Sequence, residues 1–104
     1  MNGQPQTQPN QQQINIKIDD VTMKGAYSNA MGVSHSKEEF VLDFMNIYAH
    51  QRSGIVSARV ITSPGHMKRI YKALEENIKK YEDRFGKIEE AAAPGAGDIG
   101  FRTV

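Results

Sequence analysis

Ser34, His35 and Asp43 supply the residue types of a hydrolase triad. A serine nucleophile must be exposed on a sharp turn, with a base in hydrogen-bond reach. The surrounding Gly32-Val-Ser-His-Ser36 lacks the second glycine of the Gly-x-Ser-x-Gly elbow. On a strand, the adjacent Ser34 and His35 would also face opposite sides. His35, His50 and His66 are too scattered for a zinc motif, and no His-x-x-x-His or nearby carboxylate pair accompanies them. They read as surface or loop imidazoles. The neighbouring carboxylates Asp19-Asp20, Glu38-Glu39 and Glu75-Glu76 point apart rather than at one substrate, and suit turns and helix surfaces. The glycine-rich stretch Pro94-Gly-Ala-Gly97 has no strand before it and no Lys-Ser or Lys-Thr after it, so it is not a phosphate loop. No catalytic, cofactor-binding or metal-ligating residue is assigned, and the chain is read as a non-enzyme.

One constellation suits binding rather than catalysis. Tyr27, Ser28 and Asn29 form a polar-aromatic cluster. Bases of single-stranded nucleic acid stack on an exposed aromatic beside basic groups, which makes Lys17, Lys24, Tyr27 and Arg59 the candidate contacts. The preferred reading is plainer: Tyr27 packs in the sheet and Asn29 satisfies a buried backbone group. Thirteen Lys and Arg against twelve Asp and Glu leave a formal charge of +1. A dedicated nucleic-acid binder usually has a larger excess or a one-sign block, so composition does not propose such a partner.

The elements that must position these residues fit in one small domain. Residues 1–13 are glutamine-rich, with no large apolar residue after Met1, and are expected to be disordered. Residues 89–104 are expected to form a flexible tail, in which Ile99, Phe101 and Val104 could make a short docking motif. Residues 14–88 then form a single α+β domain, small for an isolated core and without a cysteine to staple it. The lack of cysteine fits a reducing cytosol. The N-terminus has neither the basic nor the apolar region of a signal peptide, and no apolar run reaches membrane-span length. A soluble, cytoplasmic protein is expected.

Ile14-Asn-Ile-Lys-Ile18 alternates with the two-residue period of a half-buried strand, and Asp19-Asp20 ends it in a turn. A second strand is expected within Gly25 to Ser36, with Tyr27, Asn29, Met31 and Val33 on one face and Gly32 as a possible bulge. Glu39 to Tyr48 carries two signals. Ser36 and Glu39 have capping-box spacing and Phe40, Val41, Phe44, Ile47 and Tyr48 have helical spacing, yet a hairpin-like Gln51-Arg-Ser-Gly54 leads into the β-branched run Ile55 to Ser63. The assignment is to strand. Ser63 caps a final helix with Pro64 at its first position and Gly86 at its end. Glu75 with Lys79 and Glu76 with Lys80 are spaced for ion pairs along it. Met67, Tyr71, Leu74, Ile78, Tyr81 and Phe85 recur four, three, four, three and four residues apart, an apolar seam that needs something to lie against.

The blocks Tyr27-Ser28-Asn29, Ser34-His35-Ser36, Glu39-Phe-Val-Leu-Asp-Phe44, Arg59-Val60, Ser63-Pro64, Lys68-Arg69, Glu76-Asn77-Ile78 and Tyr81-Glu82, in this order, carry a resemblance. Over about Ile14 to Ile88 the chain resembles the bacterial and archaeal family catalogued as domain of unknown function 3467. That resemblance favours strand for Phe40 to Phe44 and brings no activity. Family members often have a proline- and glycine-rich turn where this chain has Met45-Asn-Ile-Tyr-Ala-His50, which leaves the length of the third strand open. The strand-strand-strand-strand-helix order is similar to that of dimeric single-stranded nucleic-acid binders of the Whirly and transcriptional-coactivator kind, a likeness of topology alone.

The expected architecture is a four-stranded antiparallel sheet followed by one long C-terminal helix packed on one face. The third strand is apolar on both faces, and one helix covers only one face of a sheet, so the opposite face should meet a second copy. The expectation is a self-associating interaction or accessory domain, a dimer or higher, without a cofactor. The alternative is a single-stranded nucleic-acid binder.

Overall fold

A computed structural model describes residues 12–94. The expected disorder of residues 1–13 falls, for residues 1–11, outside the described residues. So does the proposed docking motif of Ile99, Phe101 and Val104. The described elements are a short helix α1 (Asp20–Met23), strands β1 (Ala30–His35) and β2 (Phe40–Tyr48), a 3-10 turn (Ala49–Gln51), strand β3 (Ser53–Thr62) and a long helix α2 (Pro64–Phe85). The strands form one antiparallel sheet in the order β1-β2-β3.

The sheet therefore has three strands among the described residues, not four. Ile14 to Ile18 is paired with nothing and belongs to no element. Its isoleucines stand 80%, 89% and 55% exposed. Alternation shows that a segment is suited to an edge; it does not supply the edge. β1 is shorter than expected, because Tyr27 and Asn29 precede it, and Gly32 pairs regularly with Asp43.

β2 is a strand through Tyr48, without the turn that family members often have after the Val-Leu-Asp-Phe block. The capping-box signal at Ser36 is real hydrogen-bonding chemistry put to another use. The Ser36 Oγ accepts from the Glu38 and Glu39 amides at 3.1 and 3.3 Å, and the Ser36 amide donates to the Glu39 carbonyl at 2.9 Å. The same short hydroxyl that caps helices here closes the β1–β2 hairpin. The second hairpin turns through Ala49–Gln51, with Arg52 in the left-handed region at φ 51°. The bulge lies where β2 meets β3: Phe44 pairs with Ala58 and Met45 with Val56, leaving Ser57 over. The Ser57 hydroxyl donates to the Phe44 carbonyl at 3.2 Å.

α2 begins and ends where the residues place it. The Ser63 Oγ accepts from the His66 amide at 3.2 Å, and Gly86 at φ 101° closes the last turn with its amide on the Glu82 carbonyl. Its charged face differs in detail: the ion pair formed is Lys79 with Asp83 at 3.9 Å, rather than Glu75–Lys79 or Glu76–Lys80.

The expected packing of α2 on the sheet is not found. Tyr71, Leu74, Ile78, Tyr81 and Phe85 are between 50% and 64% exposed. Leu42, at 5%, is the one buried hydrophobic residue among those described. A seam states that a helix has an apolar partner. It does not state that the partner is in the same chain.

Candidate functional site

The register decides which side chains share a face, since directly paired residues do. One face carries Phe40, Leu42 and Phe44 of β2, flanked by Val33 and Met31 of β1 and by Val60 of β3. The other carries Val41, Asp43 and Met45, flanked by Ile61 and Arg59. β2 sets apolar residues on both faces, as expected of the third strand, but the second face also carries the charged Asp43 and Arg59. The edge residues Met31, Val33, Val60 and Ile61 are each about half exposed, so neither face is fully covered.

The triad residue types are separated by this same register. Ser34 pairs with Val41 and lies on the Asp43 face, whereas His35 pairs with Phe40 and lies on the opposite one. The His35 ring stacks on Phe40 with centroids 5.2 Å apart. Asp43 is engaged elsewhere: its two oxygens accept from Arg59 Nε at 2.7 Å and Nη2 at 2.9 Å, a bidentate pair. That hydrogen bond, more than the Coulombic attraction beside it, holds the Asp43 carboxyl below its ordinary value and raises the guanidinium. Among the described residues, no group of three His, Asp or Glu is placed to hold a metal.

Of the nucleic-acid candidates, Lys17, Lys24 and Tyr27 are exposed, and Tyr27 reaches 79%. Tyr27 does not pack in the sheet. Arg59 is exposed but tied to Asp43 across the strands. The cluster around Tyr27 has a structural task in its other two members. Asn29 extends the β1–β2 ladder with its side chain, its Oδ1 accepting from the Ile47 amide at 2.8 Å and its Nδ2 donating to the Ile47 carbonyl at 3.1 Å. The amide group thus imitates a backbone partner one step beyond the strand. Ser28 donates from Oγ to the Ala30 and Met45 carbonyls, and Asn46 Nδ2 ties down the Tyr27 carbonyl at 2.9 Å. Asn29 therefore satisfies backbone groups, but in an exposed position rather than the expected buried one.

The surface that stands out is α2. Tyr81 and Phe85 meet at 5.0 Å between ring centroids, and the Arg84 guanidinium lies 5.1 Å over the Phe85 ring. A turn earlier, Tyr71, Leu74 and Ile78 border an open concavity whose one polar lining residue is Glu75. This is an exposed, mainly apolar helix face. Its periodicity was legible in the residues; its exposure was not. No described helix is long and apolar enough to cross a membrane.

Comparison with known proteins returns no matching curated protein and no matching solved structure. A family model does match, over residues 1–90. It takes in the Tyr27-Ser28-Asn29 bracket, both hairpins and the whole of α2, and the chain belongs to the family described as protein of unknown function (DUF3467).

Proposed function

We propose that this chain is a small non-enzymatic interaction module of the cytoplasm, working as a self-associated assembly. The observation that carries this reading is the α2 seam, more than half exposed on a chain with one buried hydrophobic residue among those described. A bare aromatic side chain offers roughly 200 Å², so five large seam residues at such exposure leave on the order of 600 Å². The half-exposed Met31, Val33 and Val60 add about a further 300 Å² by the same measure. Stable interfaces remove about 800 Å² from each partner. One helix face and one sheet face per protomer reach that size together. Self-association also supplies the hydrophobic burial that the single chain lacks.

Sedimentation equilibrium at micromolar concentration checks this directly. A dimer or higher oligomer is expected, and Leu74→Asp on the seam should shift it toward monomer. A monomeric mass for the unaltered chain at all concentrations overturns the proposal.

A second reading, binding of single-stranded nucleic acid by Lys17, Lys24, Tyr27 and Arg59, draws on the 79% exposure of Tyr27. It should show as oligonucleotide affinity that falls steeply with salt and is lost in Tyr27→Ala. The Asp43 carboxylate on Arg59 and the net charge of +1 work against it. No shift with any oligonucleotide at low salt sinks it.

A further inference from the structure

Ile14 to Ile18 alternates isoleucine with Asn15 and Lys17, yet pairs with nothing among the described residues. We infer that this segment is an exchanged strand, which adds to the outer edge of β1 in a second copy of the chain. The inference rests on the self-association proposed above and specifies one of its contacts.

The choice of edge follows from matching faces. Only one side of β1 is paired, to β2, so its other side presents open backbone groups. On one face β1 offers Met31 and Val33, at 50% and 48% exposure. On the other face it offers Ala30, Gly32 and Ser34, small or polar. An antiparallel five-residue strand beside it can lay Ile16 and Ile18 against Val33 and Met31 and Ile14 beside the His35 ring, with Asn15 and Lys17 over Ser34 and Gly32. Apolar meets apolar at Met31 and Val33, and the polar side chains lie over the small Gly32 and the polar Ser34. β3 offers the other free edge but not this match. There Val60 faces one side and Ile61 the other, at 46% and 56% exposure. An alternating segment would set its polar residues on one of two apolar rows. β1 has six residues, near the length of the segment.

The donor's own β1 is close in sequence, but the connection is held rather than slack. Asp19 caps α1, its Oδ1 accepting from the Thr22 amide at 2.7 Å, and Gly25 at φ 77° closes the turn. The Tyr27 carbonyl, Ser28 and Asn29 are then fixed to the far end of β2 by side-chain hydrogen bonds. This connection leaves the segment off its own sheet. A short, fixed hinge beside an unpaired apolar strand is the arrangement that favours exchange between copies, and edge addition would satisfy both open backbones.

The test uses the full chain. In a dimer mixed from isotope-labelled and unlabelled copies, nuclear Overhauser contacts from the methyls of Ile16 and Ile18 to Val33 and Met31 are expected between copies. Amide exchange across residues 14–18 should be slowed in the dimer and fast after dilution to monomer. Ile16→Asp should weaken the dimer by at least about tenfold, since it breaks both the alternation and the apolar match. A dimer in which those contacts are absent, or lie within one chain, overturns the exchange and leaves self-association standing. An unchanged dissociation constant for Ile16→Asp does the same. A chain that is monomeric throughout removes both.

Discussion

Asn29 is the clearest case of a side chain standing in for backbone. Its amide both donates to and accepts from Ile47, so it prolongs a ladder that β1 has already left. Asn29→Ala should cost on the order of 1–2 kcal/mol in stability, the usual net worth of two such bonds. Hydrogen exchange should show the Ile47 amide losing protection first, while Asn29→Asp, keeping the acceptor, should fall between. The Asp43–Arg59 pair sets a pH dependence. Its cause is chiefly the Arg59 hydrogen bond, which holds the folded Asp43 below the ordinary value of 3.8. A carboxyl lowered by folding gives stability that is full above its unfolded pKa and lost as pH falls through the folded one. NMR titration of Asp43 should therefore find a midpoint below 3.8. Asp43→Asn should flatten the part of the acid transition that this group causes.

At the scale of elements, local chemistry was legible wherever it was self-contained. Ser63, Pro64 and Gly86 bracket α2 as their residue types require, because a cap needs only its own first or last turn. Ser63→Ala should destabilise the chain by about 1 kcal/mol in denaturant unfolding, with the loss confined to a cap that nothing else replaces. Ser36 is the instructive ambiguity. A hydroxyl accepting from amides two and three residues on is the same event in a helix cap and in this hairpin turn. The chain beyond it becomes a strand because β1 and β3 pair with β2 from both sides. Pairing partners lie far away in sequence, so spacing around Ser36 could not choose. The bulge was misplaced to Gly32 for a related reason: the extra residue, Ser57, exists only relative to a register with β2.

The whole molecule has a sheet with apolar residues on both faces, a helix with an uncovered seam and a single buried leucine among the described residues. In the self-associated assembly proposed above, stability and association would be one quantity. Thermal unfolding should shift upward by several degrees as protein concentration rises about a hundredfold. A midpoint independent of concentration would instead require a core that the single chain does not display. By itself the sequence determined the strand character of residues 55–62, the caps of α2, its seam and the α+β class. These depend on residue types within a few positions of one another. Tertiary structure alone decided that Asp43 is held by Arg59, that Ile14 to Ile18 finds no partner among the described residues, and that the seam lies open. Periodicity records which side of an element avoids water. Where the covering surface comes from is a property of space, and here the described chain does not supply it.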